Sequence, residues 1–144
     1  MSNSLYERDF YAWANQQAAL LRAGRLSDAD IENIAEEIES MGRSEKRELV
    51  SRLTVLLTHL LKWQYQPERR GKSWLRTIQQ QRFRINNHLG ENPSLKSQLA
   101  SAIRTAFRDA RIEAERETDI DQDTFPATCP YTFDETMAED FWPD

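Results

Sequence analysis

Apolar side chains recur every three or four residues through the stretch SEKRELVSRLTVLLTHLLKW, residues 44–63. That spacing places them on one face of an α-helix. A stripe this wide needs neighbouring helices on more than one side. The sequence therefore predicts the central helix of an all-α bundle, with these side chains in its core: Leu49, Leu53, Leu56, Leu60 and Trp63, widened by Val50, Leu57 and Leu61.

The same helical period predicts about four further helices around the central one. They cover about 9–22, from Ser27 to Gly42, 73–89 and from Asn92 onward, so that the bundle spans 9–118. Ser27, Ser73 and Asn92 are expected to cap the helices that follow them, and Gly42 is expected to end or kink its helix. In the second helix, the inward stripe comprises Ile31, Ile34, Ile38 and Met41.

The C-terminal segment 119–144 has a different character. It is acidic and aromatic, and its two X-Pro breaks predict an extended or turning chain. The sequence TFDE at 132–135 fits a capping box, which predicts one short terminal helix. Because its aromatic side chains would be poorly placed in water, we expect the segment to pack along the bundle. The whole chain, residues 1–144, is predicted to form a single helical domain.

Composition restricts the setting of the protein. Cys129 is the only cysteine, so no intramolecular disulfide can form. The start of the sequence has no charged-then-apolar leader, which predicts a cytoplasmic location. The most apolar run, LTVLLTHLL, is much shorter than the ~20 residues that cross a bilayer, so no membrane association is expected.

Charge is distributed unevenly along the chain. Residues 43–111 carry fifteen Lys or Arg and five acids, whereas residues 112–144 carry one Arg and eleven acids. Within the basic segment, six cations concentrate in 69–84. They could pair with the acidic tail or with the acids of the second helix, or they could bind an outside partner. These candidate partner-binding residues are Arg69, Arg70, Lys72, Arg76, Arg82 and Arg84.

Patterns typical of catalytic or metal sites do not occur in the sequence. Neither His59 nor His88 has the Glu-x-x-His spacing of di-iron bundles. The alternating acids Asp119, Asp121 and Asp123 lack the glycine of a calcium-binding loop, and RGKS lacks the strand that precedes a phosphate-binding loop. We therefore expect no metal, no cofactor and no catalytic residues. His59, on the most apolar helix, remains a candidate polar pocket residue.

Three stretches resemble a known family: SLYERDFYAWANQQAALLRAGRLSDADIENIAEEIESMGRSEKRELVSRL, LLTHLLKWQYQPERRGKSW and DTFPATCPYTFDETMAEDFWPD. They look like the bacterial "domain of unknown function 29" family, and the similarity covers nearly the whole chain. The resemblance implies a small helical-bundle protein without an assigned reaction. It supplies no catalytic residues.

Three functions remain open from the sequence. The first is a non-enzymatic helical module that binds another protein or associates with itself. The second is a nucleic-acid-associated regulator that uses the basic segment 69–84, although a pI near 5.1 disfavours it. The third is an enzyme whose site is assembled from distant residues.

Overall fold

The computed structural model describes residues 4–144, and its described residues contain helices and connecting segments but no strand. This confirms the all-α prediction. The helices are α1 (Leu5–Arg8), α2 (Phe10–Arg22), α3 (Ile31–Tyr65), α4 (Lys72–Glu91), α5 (Leu99–Thr118) and α6 (Phe133–Met137). Short 3-10 turns lie at Leu26–Asp28, Pro67–Arg69, Pro93–Gln98 and Gln122–Thr124. None of the helices in the described part of the chain has the length and apolarity needed to cross a membrane.

The chain divides into two compact units, Met1–Ser44 and Glu45–Asp144, and the boundary between them falls inside α3. The single-domain organisation expected from the sequence stays a prediction. The predicted helix end at Gly42 is wrong, because α3 continues through it without interruption. A glycine inside a helix costs only about 1 kcal/mol relative to alanine, which the surrounding helix formers offset.

The N-terminal unit is organised around Asp30. Its backbone N–H donates to Gln17 Oε1 at 2.7 Å, and its carboxylate accepts from Trp13 Nε1 at 3.0 Å. The Asp30 carboxylate also accepts hydrogen bonds from the side-chain amide and the backbone N–H of Asn33. The bond from the backbone N–H caps the start of α3. These hydrogen bonds, above all that from the Asn33 side chain, lower the pKa of Asp30. The cap of this helix is therefore Asp30, and the predicted cap Ser27 is wrong.

The predicted cap Ser73 is also wrong, because helix α4 begins at Lys72 with Gly71 before it, so Ser73 lies inside the helix. Asn92 does occupy the N-cap position of the 3-10 turn that precedes α5, with Pro93 directly after it. Its side chain makes no capping bond there and donates instead to the His88 carbonyl oxygen at 3.1 Å. The capping box at Thr132 is confirmed, with reciprocal hydrogen bonds between Thr132 and Glu135.

The C-terminal unit has one continuous apolar core. The predicted leucines of α3 are all fully buried, and α5 presents a row of small side chains to them. The segment after α5 joins this core through the buried rings of Phe125 and Tyr131, so the tail packs on the helices of the C-terminal unit. The core residues are Leu49, Leu53, Leu56, Leu57, Leu60, Leu61, Ile78, Ile85, Leu89, Leu95, Ala102, Ala106, Phe107, Ala110, Ala114, Phe125 and Tyr131.

The apolar stripe predicted for the second helix does not form a core. Ile31, Ile38 and Met41 are 53%, 58% and 62% exposed. Their helical spacing is as regular as that of the α3 leucines. The difference is that the described residues of the N-terminal unit bury only two side chains, Trp13 and Gln17.

Candidate functional site

The structure separates the six predicted cations into two groups. Arg70 and Arg82 contact the C-terminal segment. The other four are exposed, and none of them forms an ion pair or a side-chain hydrogen bond within residues 4–144. We call these four the outer cations: Arg69, Lys72, Arg76 and Arg84.

Arg82 is the most buried of the six, with 3% of its surface exposed. Its Nε donates to the Thr136 carbonyl oxygen and its Nη2 donates to the Phe141 carbonyl oxygen, each at 2.8 Å. The guanidinium also lies 5.2 Å from the Trp142 ring centroid, a cation–π distance. Burial lowers the pKa of Arg82, although a guanidinium stays protonated in proteins.

Arg70 has a related but more exposed arrangement. Its Nε donates to the Trp63 carbonyl oxygen at 2.7 Å, near the end of α3, and its Nη2 donates to the Pro143 carbonyl oxygen at 3.3 Å. The Trp63 ring lies under it at 5.3 Å. Both arginines thus contact the acidic tail, which is one of the three alternatives left open by the sequence, but they bond its backbone carbonyls and not its carboxylates.

The outer cations share their surface with amides and an aromatic ring. On α4, steps of three and four residues bring Lys72, Arg76, Gln79, Gln80 and Phe83 to one side of the helix. Phe83 is 65% exposed. Only one acid, Glu91, belongs to this helix, so the exposed side of α4 is locally basic even though the whole chain carries a net charge of −5.

His59 lies in a groove of about 460 Å³ between α3 and α5. Its Nδ1 lies 2.8 Å from the Val55 carbonyl oxygen, and burial lowers its pKa. Three carboxylates of α5 line the same groove, and each is paired with a cation, two of them on α5 itself and the third on α3. The pairs are Asp109 with Arg108, Glu113 with Arg116 and Glu117 with Lys62. The groove therefore brings together a histidine and acids that the sequence places about fifty residues apart.

The two threonine hydroxyl groups of this groove are also engaged. Thr54 donates to the Val50 carbonyl oxygen and Thr58 to the Thr54 carbonyl oxygen. A nucleophilic site needs a hydroxyl or thiol within hydrogen-bond reach of a base. Here the threonines bond their own helix, and the lone thiol, Cys129, lies elsewhere with its pKa raised by burial.

A second histidine cluster was missed by sequence reasoning. His88 on α4 is 5% exposed and lies beside two glutamates on α3, Glu45 and Glu48. One ligand atom from each of the three lies within 4.8 Å of the others, as in a site for a divalent cation. His88 Nε2 is also 2.8 Å from the Glu45 carbonyl oxygen, and Glu48 pairs with Arg52 at 3.0 Å. A spacing rule for a single helix does not bring these three side chains together, because they come from two helices.

Comparison with known proteins gives a family but no activity. The family described as "Domain of unknown function DUF29" matches residues 5–142, nearly the whole chain. No curated protein and no solved structure matches the chain. The resemblance seen in the sequence is confirmed.

Proposed function

The chain belongs to the DUF29 family, and we propose that it acts as a non-enzymatic interaction module that works through self-association. One observation carries this proposal. Seven of the ten exposed large apolar side chains of the described residues fall between positions 10 and 41, in less than a quarter of the chain. They are Phe10, Tyr11, Leu21, Leu26, Ile31, Ile38 and Met41.

Helical spacing supports a continuous contact surface. Ile31, Ile34, Ile38 and Met41 follow steps of three and four residues along α3, so they lie on one side of the helix. Exposed apolar side chains arranged in this way mark protein contact sites more often than scattered ones do. The acids of this stretch largely flank the stripe, as solvated residues at the rim of an interface do.

A second copy of the chain is the occupant that best fits this surface. Helices gain most of their stability from packing an amphipathic face, and the described part of the N-terminal unit buries only Trp13 and Gln17. Pairing two such helix pairs face to face produces a four-helix arrangement. Closed twofold dimers are also the commonest soluble oligomers.

Sedimentation of matched variants tests the proposal. The wild-type chain should be a dimer at micromolar concentration, and the double variant Ile38→Ser/Met41→Ser should be a monomer that keeps its helical circular dichroism. Ile112→Ser is the control, because Ile112 is comparably exposed at 47% but lies on α5. A wild-type monomer, or a dimer unaffected by the double variant, would contradict self-association through this stripe.

The salt dependence supplies a second measurement. The N-terminal unit is acidic, with eight acids and three arginines in residues 1–42, so two copies repel each other electrostatically. Screening reduces that repulsion, since the Debye length falls from about 10 Å at 0.1 M to about 3 Å at 1 M salt. Dimerisation should therefore strengthen as salt is added.

Nucleic-acid binding is the second candidate function, and the outer cations favour it. Arg69, Lys72, Arg76 and Arg84 are exposed without acidic partners, beside amide side chains and Phe83. Cations contact phosphates, amides contact base edges and aromatic rings stack on bases. The acidic pI of the whole chain disfavours nucleic-acid binding. Any such binding would therefore be restricted to this local basic surface.

Charge-matched variants test the second candidate. Binding of fluorescent single-stranded RNA and duplex DNA is measured by anisotropy at low salt. Lys72→Glu/Arg76→Glu should abolish binding, whereas Lys96→Glu/Arg104→Glu changes the net charge equally at exposed positions elsewhere and should preserve it. Equal loss in both variants, or no wild-type binding, would contradict a site on α4. In contrast to dimerisation, this binding should weaken as salt rises.

The proposed setting is the bacterial cytoplasm. The thiol of Cys129 is free and half-buried, and a reducing compartment keeps such a thiol unpaired.

A further inference from the structure

A histidine of α4 lies beside two glutamates of α3, all within the C-terminal unit. His88 is buried, whereas the side chains of Glu45 and Glu48 are 48% and 45% exposed. The two glutamates are three residues apart, so they share one side of α3. The cluster therefore combines a buried nitrogen donor with two carboxylates that solvent reaches.

One hydrogen bond orients the His88 ring. Its Nε2 lies 2.8 Å from the Glu45 carbonyl oxygen. A carbonyl oxygen can only accept, so Nε2 carries the proton. In the neutral ring the other nitrogen, Nδ1, then has a free lone pair, which is the form that binds a metal. Histidines that bind metals usually donate their other ring N–H in this way, to a backbone carbonyl or a carboxylate.

The distance from Nδ1 to Glu48 suits a shared metal ion. His88 Nδ1 lies 3.5 Å from Glu48 Oε2, and two ligands at about 2.1 Å from one tetrahedral zinc ion lie ~3.4 Å apart. Both atoms are acceptors when Nε2 carries the proton, so a cation that binds both removes their repulsion. A second proton on the ring would instead draw them to about 2.7–2.9 Å, the length of a charge-assisted hydrogen bond.

The two glutamates have contacts that are compatible with metal binding. Arg52 Nε donates to Glu48 Oε2 at 3.0 Å, and a carboxylate that accepts one hydrogen bond keeps further lone pairs for a cation. Such hydrogen bonds orient carboxylates that bind metals. Glu45 Oε2 lies 3.6 Å from His88 Nε2 and 3.5 Å from Asn92 Nδ2. These contacts are long and weak, so the exposed Glu45 side chain can turn toward an ion.

A cavity of about 330 Å³ gives an ion access to the cluster. Glu48 and His88 line it, together with Glu91, which follows His88 by three residues on α4. The two arginines of the lining balance its two carboxylates, and Glu45 adds a negative charge beside them. A cation entering the cavity therefore meets net attraction.

We propose that His88, Glu48 and Glu45 bind a divalent transition-metal ion, with Zn²⁺ as the ion that fits best. Imidazole nitrogen with carboxylate oxygens suits first-row transition ions, whereas Mg²⁺ and Ca²⁺ bind through oxygen. Three protein ligands leave the fourth tetrahedral position to water. The ion joins α3 to α4, and neither self-association nor nucleic-acid binding depends on it. Ligand spacing within one helix predicts no metal, but this site draws its ligands from two helices.

Calorimetric titration of chelator-treated protein tests the site. The wild-type chain should bind one equivalent of Zn²⁺ at micromolar concentration and should not bind Mg²⁺ at millimolar concentration. Glu45→Gln/Glu48→Gln should weaken Zn²⁺ binding roughly a hundredfold or more, since even a residue that only orients a ligand contributes about 10–100-fold. Asp109→Asn/Glu113→Gln is the control and should bind normally, because it removes two carboxylates from the groove of the other histidine, His59.

Two further measurements locate the ion. In NMR spectra of the histidine rings, Zn²⁺ should shift the Nδ1 signal of His88 while its Nε2–H persists, and the His59 signals should stay unchanged. Zn²⁺ should also raise the melting temperature of the wild type but not that of Glu45→Gln/Glu48→Gln, because a ligand that binds only the folded chain stabilises it. His88 is kept in every variant because it is buried.

Three results would overturn the metal site. The first is the absence of Zn²⁺ binding below millimolar concentration, with both ring nitrogens of His88 protonated, which would assign the contact with Glu48 to a proton. The second is an equal loss of binding in the two double variants. The third is a Zn²⁺-induced shift at His59 in place of His88.

Discussion

Two sets of cations within fifteen residues of one another have opposite roles. Arg70 and Arg82 are bonded to backbone carbonyls of the C-terminal segment, with a tryptophan ring against each guanidinium. The outer cations Arg69, Lys72, Arg76 and Arg84 are exposed. The sequence shows one basic cluster, whereas the fold divides it into a pair bonded to the C-terminal segment and a set of four exposed cations.

The difference shows what decides the role of an arginine. A planar guanidinium has five N–H donors in a fixed fork, so it can satisfy several carbonyls at the end of a chain that makes no regular structure. The C-terminal segment has such carbonyls because Thr136 lies in the last turn of α6, while Phe141 and Pro143 lie in the irregular chain that follows it. Net charge is secondary here, since the acceptors are neutral.

Removal of the C-terminal segment should have the largest effect. Deletion of residues 119–144 takes away Phe125 and Tyr131, both buried. Loss of a large buried aromatic costs about 3–5 kcal/mol, and the total stability of a domain is about 5–15 kcal/mol. We expect the truncated chain to lose cooperative thermal unfolding. A truncated chain with a wild-type melting transition would show that Arg70 and Arg82 bind a segment that stability does not need.

Arg82→Met should have the next largest effect. This substitution leaves the Thr136 and Phe141 carbonyl oxygens without their hydrogen-bond donor and removes the cation–π contact with Trp142. Each buried polar group left unsatisfied costs about 1–3 kcal/mol, so the loss in the free energy of unfolding should be about 2–6 kcal/mol in urea titrations. Arg84→Met is the matched control, two positions away and exposed, and should change stability by less than ~0.5 kcal/mol.

Arg82→Lys separates charge from shape. Lysine keeps the positive charge but offers a single ammonium in place of the fork. If both carbonyl contacts matter, the lysine variant should recover less than half of the stability that Arg82→Met loses. A lysine variant with wild-type stability would mean that charge alone, acting on Glu139 and Asp140, holds the segment.

Arg70→Met should have a smaller effect than Arg82→Met. Arg70 is half-buried, and its second hydrogen bond, to the Pro143 carbonyl oxygen, is long at 3.3 Å. Water can replace part of what is lost, so the decrease in the free energy of unfolding should be about 1–2 kcal/mol, in the range of one net hydrogen bond. The same urea titration measures it. If Arg70→Met lowered the free energy of unfolding as much as Arg82→Met does, the different burial of the two arginines would not determine their contributions to stability.

The sequence predicted the parts of this molecule that depend on local pattern. The leucines of α3, the capping box at Thr132 and the packing of the aromatic tail follow from periodicity and turn chemistry. The cap at Asp30 was missed because it depends on Trp13 and Gln17, which lie on another helix. The stripe at Ile31, Ile38 and Met41 has the period of a core, but periodicity cannot tell whether a partner is within the same chain.

The sequence predicted that the candidate site is basic, but it did not predict which of the six cations contact the C-terminal segment and which are exposed. The basic character of the segment 69–84 is evident from the sequence. Which arginine bonds a carbonyl oxygen depends instead on the position of residues some sixty places later in the chain. The cluster of His88 with Glu45 and Glu48 depends on the same kind of long-range placement. No spacing rule for a single helix contains that information.

Neutralising the outer cations should have the smallest effect on folding. We expect the quadruple variant Arg69→Gln/Lys72→Gln/Arg76→Gln/Arg84→Gln to unfold within ~1 kcal/mol of the wild type, because exposed charges without partners contribute little to stability. It could even be slightly more stable, since four like charges close together repel each other within a Debye length of about 8 Å. Urea titrations at low and high salt measure this directly. A loss as large as that of Arg82→Met would show that the outer cations also hold the fold, and the distinction between the two sets would then fail.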